Sequence, residues 1–496
     1  ASIAAGNRDE RAGFSGAAPR ASIAMVKLKP AKQYLRDFYL IRDGADAYQE
    51  NDILMGVSYL YALAREYSMP LVVCIALGTN MGSHMGTSRL GQYLNQVSLS
   101  NGSAVITAAG NETGARHHFQ AVMNADTDEI TAELRVGEQE TGFSMELWAN
   151  EVGVYTVGFI SPTGEVAKEI PVPLRGENTL SFLLEQTQIT VYTQIADVSA
   201  GSQFIFMRFE RPMSGIWRIL IRNSLDIRET FHLWLPVRGF ISDETYFLRP
   251  DPDTTITDPG NAQYPITVTA YDHTRNSIYI HASRGYSRSG QIKPDLAAPG
   301  VNILGASASG IRLTRMSGTS VAAAHLAGAA AILLHWGLLN GSYPYLNTPV
   351  LKSIFVRGAQ RNPALTYPNR EYGYGTLDLY TGAWKDEECG EICGEPEYQV
   401  NCPVICEQPF VRSVFEHEYR MLSRWKMDCE YFLGAGNGYE PHLYFGSVEK
   451  ICDAMEETWN KLPVDKKPEW LTMEQIQEYR KGMLKRRDGR QTESRR

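Results

Sequence analysis

From Arg315 to Gly328 the chain reads Arg-Met-Ser-Gly-Thr-Ser-Val-Ala-Ala-Ala-His-Leu-Ala-Gly, a glycine turn that runs into a helix built of small residues. Few folds tolerate such a segment. Gly318 permits the turn, Thr319 and Ser320 open the helix, and the alanines that follow let it pass close beneath neighbouring strands. A serine at that point has the first helical amides and the positive end of the helix dipole beside it, where an oxyanion would develop. The pattern has two readings, a nucleophilic serine or a buried Ala-rich helix capped by Thr or Ser. Other segments must decide between them.

Three do. Val105-Ile106-Thr107-Ala108-Ala109-Gly110-Asn111 is an apolar run that ends on an amide side chain. Lys293-Pro294-Asp295-Leu296-Ala297-Ala298-Pro299-Gly300-Val301 reads as a strand and a turn, and Val72-Val73-Cys74-Ile75-Ala76-Leu77-Gly78 as another strand. Together with Gly318–Gly328 these motifs, in this order, resemble the subtilisin-like serine peptidases, the subtilase family. The resemblance implies an α/β fold with a doubly wound parallel sheet, Ser320 as nucleophile and Asn111 as the side-chain donor of the oxyanion hole. It further implies a peptide or protein substrate lying along Ala76, Leu77 and Gly78, with Ala108, Ala109 and Gly110 as the other wall of the specificity pocket. No cofactor is expected.

A hydrolytic serine also needs a histidine to take its proton and a carboxylate to orient that histidine. None of the ten histidines is followed by Gly-Thr, as the family's general base is, and no Asp-Ser-Gly or Asp-Thr-Gly supplies the acid. The opening Ala1–Gly6 resembles the segment that follows the family's His-Gly-Thr. The expectation is therefore a fragment that lacks the Asp and His of the triad and is inactive as it stands; the alternative is a pseudoprotease that binds or signals. His84, after a Gly-rich turn, is read as a backbone-bonding or substrate-contacting residue rather than a substitute base.

Asn111 and Ser320 lie 209 positions apart, more than a compact subtilase needs, so an insertion is expected. Between Phe119 and Pro259, short apolar or alternating runs recur about every ten residues: Ile130–Val136, Ser144–Trp148, Val154–Ile160, Leu180–Leu184, Ile189–Ile195, Phe204–Phe209 and Trp217–Ile221. With turns such as Ser161-Pro162-Thr163-Gly164 between them, they read as a β-sandwich or jelly roll. An insertion at this point resembles the Csp subgroup of clostridial germination proteases, which implies secretion or association with the spore. The expected divisions are 1–118 and 263–384 for the two parts of the subtilase domain, 119–262 for the insert, 385–410 for a linker and 411–496 for a helical module.

The net charge of −8 argues against a nucleic-acid binder as a whole. The apolar stretch from Val321 to Leu334 is read as too short for a bilayer, so no membrane partner is expected. Cys74 is expected to be an inert, buried strand thiol. In the acidic linker, Cys389, Cys393, Cys402 and Cys406 are spaced for two disulfides or a thiol-bearing tether in preference to zinc. Beyond it, Phe415, Tyr419, Leu422, Trp425, Cys429 and Phe432 recur at helical spacing, and further helices are expected over Val448–Leu462 and from Thr472, where Gln475 completes a capping box. This module resembles a small helical domain of mobile-element and large polyvalent proteins. Its basic end, Arg480–Arg496, is expected to be a disordered, solvated tail, with contact to nucleic acid as the minority reading.

Overall fold

The computed structural model describes residues 1–379 and 416–493, apart from 125–126, 128, 151–152, 168–169, 171–174, 226–227, 308–312, 435–437, 441–442, 444, 464–466 and 469. Cys389, Cys393, Cys402 and Cys406, the expected linker and His442 lie outside the described residues. The chain divides into two compact units, Ala1–Glu388 and Cys389–Arg496.

The first unit opens with the short helices α1 (Ser2–Ala5) and α2 (Gln33–Tyr39) and the longer α3 (Glu50–Glu66). Strand β1 (Leu71–Ile75), helix α4 (Arg89–Ser98) and strand β2 (Ser103–Ala108) follow. The two strands run parallel, Leu71 opposite Ser103 and Ile75 opposite Thr107. All of β2 is buried, as its unbroken apolar run requires of a central parallel strand. Ser88 caps α4, its hydroxyl accepting from the Gly91 amide at 3.0 Å.

Eleven strands then depart from this sheet: β3 (His118–Met123), β4 (Glu129–Val136), β5 (Gly142–Ala149), β6 (Tyr155–Ile160), β7 (Val166–Ala167), β8 (Arg175–Phe182), β9 (Thr187–Gln194), β10 (Phe204–Glu210), β11 (Gly215–Asn223), β12 (Glu229–Trp234) and β13 (Tyr246–Phe247). They form two sheets, β3-β12-β5-β10-β9-β8 and β13-β4-β11-β6-β7, with antiparallel pairing throughout. Alternate residues point inward, so that Trp217, Ile219 and Ile221 from one sheet meet Phe143, Phe209 and Phe231 from the other in one continuous core. The run Leu180–Leu184 is shifted: its strand ends at Phe182, and Leu183 and Leu184 sit exposed in the turn. Strands β3 and β12 had no expectation of their own, because His118, Gln120, Glu229 and His232 interrupt their apolar pattern.

The parallel sheet resumes with β14 (Ile266–Asp272), which pairs with β2, and β16 (Leu296–Pro299), which pairs with β14; β15 (Ser277–Ile278) folds back on the end of β14. A hairpin, β17 (Ile303–Ala306) and β18 (Leu313–Met316), leads into α5 (Thr319–Leu334), and α6 (Thr348–Gly358) follows. Helix α5 lies against β2, β14 and β16, while α3 and α4 cover the other face of β1 and β2. Under β14 a buried ion pair, Lys293 Nζ to Asp295 Oδ2 at 2.8 Å, is completed by Lys352 Nζ on Oδ1 at 3.0 Å and by the Thr267 amide. Burial alone would raise the Asp295 carboxyl, but the two ammonium groups hold it below its usual range.

Two expectations are corrected here. Continued by a π-helical turn, the apolar helix spans Thr319–Leu339, 21 residues, which is long enough to cross a bilayer; 67% of its apolar window is buried inside the fold, which marks it as a core helix. Cys74, expected to be buried, has an exposed side chain, although its dense surroundings push the thiol up to about 11.

The second unit holds α7 (Glu416–Leu433), α8 (Val448–Lys461) and α9 (Met473–Glu493) around Leu422, Cys429, Phe432, Ile451, Met455 and Ile476. The capping box is present, with the Thr472 amide on Gln475 Oε1 at 2.9 Å and the Gln475 amide on Thr472 Oγ1 at 3.2 Å. On the basic helix α9, Arg480 pairs with Asp453 and Glu456, and Arg487 with Glu440 and Glu449. The stretch expected to be a disordered tail is thus helical as far as Glu493, with two of its arginines paired inside the bundle.

Candidate active site

Beyond its carboxyl end β1 continues as Ala76-Leu77-Gly78, and β2 continues as Ala109-Gly110-Asn111. Both segments run toward the amino end of α5, outside the carboxyl ends of the parallel strands, where sites of such sheets form. Gly318 caps α5, and its amide donates to the Gly300 carbonyl at 2.8 Å. Ser320 is the second helical residue, so its amide is one of the four that a helix leaves without an internal partner.

Three hydrogen bonds tie these segments together. Ser320 Oγ donates to the Ala76 carbonyl at 3.3 Å. The Thr319 amide donates to Asn111 Oδ1 at 3.0 Å, and the Gly110 amide donates to Thr319 Oγ1 at 3.1 Å. With Oδ1 engaged, the Asn111 amide nitrogen is the free end of that side chain; a Cβ built on Gly318 would lie 3.5 Å from it. Of the candidate residues read from the sequence, these bonds bring together Ser320, Asn111, Ala76 and Gly110. The role of Thr319 was missed, because a threonine beside the serine reads as a helix cap and nothing in the sequence says that it reaches back to Gly110.

Thr257 was missed as well. It precedes β14 and packs into the gap between the two walls: a Cβ on Gly78 would meet its Oγ1 at 2.2 Å, and one on Gly110 would meet its Cγ2 at 2.7 Å. Only glycine fits at those two wall positions, and Gly110 also has φ +102°. The Thr257 amide donates to the Ala109 carbonyl at 3.0 Å, and Thr79 and Asp258 exchange amide-to-carbonyl bonds of 3.0 and 2.9 Å. The floor of the cleft is thus fastened to both walls.

No described histidine bonds Ser320. His84 is buried, with Nδ1 2.9 Å from the Ile256 carbonyl and Nε2 2.9 Å from the Asn80 carbonyl, which is the backbone-bonding role expected of it. His118 Nε2 lies 3.0 Å from His232 Nδ1, His325 Nδ1 lies 2.7 Å from the Pro299 carbonyl, and His117 sits beside Glu112 at 3.4 Å. Burial lowers His84 and His118 to about 4 and takes His232 well below the usual range, so all three are neutral at pH 7. Among the described residues no cluster of three or more His, Cys, Asp or Glu side chains is arranged to hold a metal ion. A cleft of about 410 Å³ beside Tyr61, Met69 and Leu338 lies at the amino ends of β1 and β2, away from Ser320.

A doubly wound parallel sheet with a serine at the start of a small-residue helix and an asparagine tied to that helix is the arrangement of the subtilisin-like fold. Residues 248–375 match the profile described as Subtilase family. The chain is similar in structure to the CspB protease of Clostridium perfringens, with 28% identity over 77% of this chain and 77% of that one and a TM-score of 0.68. Two shorter likenesses are to the prenylagaramide maturation protease PagA and to the PatG macrocyclase in complex with peptide. PagA is 26% identical over 26% of this chain and 45% of that one, with a TM-score of 0.23. PatG is 20% identical over 26% and 38%, with a TM-score of 0.23. Residues 415–483 match Large polyvalent protein-associated domain 11, in keeping with the module read from the helical tail. Homology of this kind implies a peptide or protein substrate.

Proposed function

We propose that this chain carries the nucleophile and oxyanion half of a serine endopeptidase site. Ser320 Oγ adds to the scissile carbonyl carbon while its proton passes to a base. The carbonyl oxygen takes up the negative charge and is held by the Ser320 amide and the Asn111 side-chain amide. Collapse breaks the C–N bond, the amine leaves with the proton returned by the base, and water hydrolyses the acyl ester, restoring Ser320. The base and the carboxylate that orients it come, in this reading, from chain outside residues 1–496. The substrate backbone pairs with Ala76, Leu77 and Gly78 as an added strand, and its side chain enters between them and Ala108, Ala109 and Gly110.

The observation that carries this reading is the bond from the Thr319 amide to Asn111 Oδ1 at 3.0 Å, which turns the amide nitrogen of Asn111 toward the helix start that bears Ser320. A chain with no use for an oxyanion has no need of that arrangement. The test is cleavage of a library of internally quenched peptides by the full-length protein and by its Ser320→Ala variant. Cleavage that disappears with Ser320→Ala supports the endopeptidase; no cleavage, or cleavage that survives the substitution, overturns it.

A second reading is a catalytically dead pseudoprotease that serves as a binding or signalling scaffold in spore germination. It is favoured by the histidines: His84, His117, His118, His232 and His325 all engage groups other than Ser320. A full-length protein that binds peptide without cleaving it would select this reading.

A further inference from the structure

Behind the peptide wall stands a stack of rings whose members come from two parts of the fold. The His84 ring lies on Trp234 with centroids 4.0 Å apart and planes 10° from parallel. Trp234 in turn is stacked with His118 at 4.8 Å and with His232 at 4.9 Å. His84 belongs to the loop that leaves the peptide wall; the other three belong to β3 and β12 of the inserted sandwich. The same insert reaches the wall by backbone too. Asn80 Nδ2 donates to the Leu235 carbonyl at 3.2 Å and to Glu112 Oε2 at 3.3 Å, and the Arg238 amide donates to that carboxylate oxygen at 3.2 Å.

His84 stands at the meeting point of wall and floor. Its two ring nitrogens face the carbonyls of Asn80, next to the Thr79–Asp258 bridge, and of Ile256, next to Thr257. A neutral imidazole donates to one of these carbonyls. The rest of its hold comes from its flat body, clamped between the loop and Trp234. His84 also has φ +52°, a left-handed backbone that is strained for a residue with a Cβ and persists only where the surroundings fix it. Arg288 holds the same loop from a third side, its amide on the His84 carbonyl at 3.0 Å and its Nε on the Ser83 carbonyl at 2.7 Å.

We propose that His84 is a positioning residue through which the inserted sandwich presses the peptide wall, Ala76–Gly78, against the pocket floor at Thr257. This rests on the endopeptidase reading of the same cleft. His84 bonds the groove and neither Ser320 nor Asn111 directly, so its loss falls on peptide binding more than on the chemical step.

The test compares His84→Ala, His84→Gln, Trp234→Ala and Trp234→Phe in the full-length protein, on the internally quenched peptide that the wild type cleaves fastest. The two alanine variants should raise KM by about tenfold or more and change kcat by less than about threefold. His84→Gln keeps one N–H and Trp234→Phe keeps a ring, so each should raise KM by only about two- to fivefold. A KM within twofold of wild type in His84→Ala, or a loss confined to kcat, overturns the clamp. Should the alanine variants not fold, the milder pair decides: raised KM at a wild-type melting temperature supports it, and wild-type KM overturns it. A wild type that cleaves normally while His84→Ala keeps its KM sinks the clamp alone; a wild type that cleaves nothing removes the endopeptidase and the clamp with it.

Discussion

The two cores of the first unit are built from opposite materials. Around α5, ten of the 21 buried residues are alanines, among them Ala104, Ala108, Ala270, Ala298, Ala322 and Ala323. In the inserted sandwich nine of 27 are aromatic, among them Phe143, Phe159, Phe209, Trp217 and Phe231. Large rings bury more apolar surface per residue and so contribute more stability, whereas alanines bring backbones close together and leave little freedom in where they sit. The first material suits a site whose working groups are backbone amides; the second suits a rigid buttress. The stack of His84 on Trp234 is where the buttress meets the site.

The contrast breaks if the sandwich proves dispensable. Trp217→Ala empties a fully buried site in which Trp217 packs edge-on to Phe182 and Phe209, and should cost about 3–5 kcal/mol in urea melts. A folded fraction of that variant should keep the wild-type kcat. Asn111→Ala should do the reverse, lowering kcat on the fastest-cleaved peptide about 10²- to 10³-fold while leaving the urea midpoint nearly unmoved. A stability loss as large as that of Trp217→Ala would mean that Asn111 is structural.

Ala323→Leu sharpens the point about small residues. Ala323 is fully buried between α5 and the sheet, so the added carbons must push the helix away, at about 1–3 kcal/mol in the same melts. Unlike any change in the sandwich core, it should also lower kcat, since Thr319 and Ser320 move with the helix.

The last expected effect is on pH dependence. His118 and His232 are held neutral by burial, His118 at about 4, while in the unfolded chain they take up protons near the ordinary value of 6.5. The unfolded state therefore binds more protons across roughly pH 4 to 6.5, and the histidines' contribution to stability is lost as pH falls through that window. Glu146, raised by burial to about 7, and Asp258, raised to about 6, act in the opposite sense. Comparison with a His118→Gln, His232→Gln variant isolates the histidines: the advantage of wild type at pH 7.5 should shrink at pH 4.5. An advantage that does not change with pH would mean that the stack is not kept neutral.

Much of the site was legible. Gly318-Thr319-Ser320 and the run ending in Asn111 carry local signals, a turn, a small-residue helix and a strand end, and each lies where those signals put it. The seven strands read between Ile130 and Ile221 were visible because one face of each is apolar. Strands β3 and β12 were not, since His118 and His232 face the Trp234 stack, where the two imidazoles bond one another and His118 also bonds the Asp251 carbonyl. Cys74 was misread as well: its apolar run predicts burial, whereas its side chain is exposed.

By itself the sequence determined the elements and their chemistry: a serine at a helix start, an asparagine at a strand end, an insert of alternating strands and a capped helical tail. Those follow from turns, periodicity and side-chain size, which act over a few residues. Tertiary structure alone decided that Thr319 ties down Gly110, that Thr257 closes the cleft and that His84 rests on a tryptophan 150 positions away. Such contacts join residues far apart in the chain, and their geometry is fixed only when the sheet, the helix and the insert are packed together.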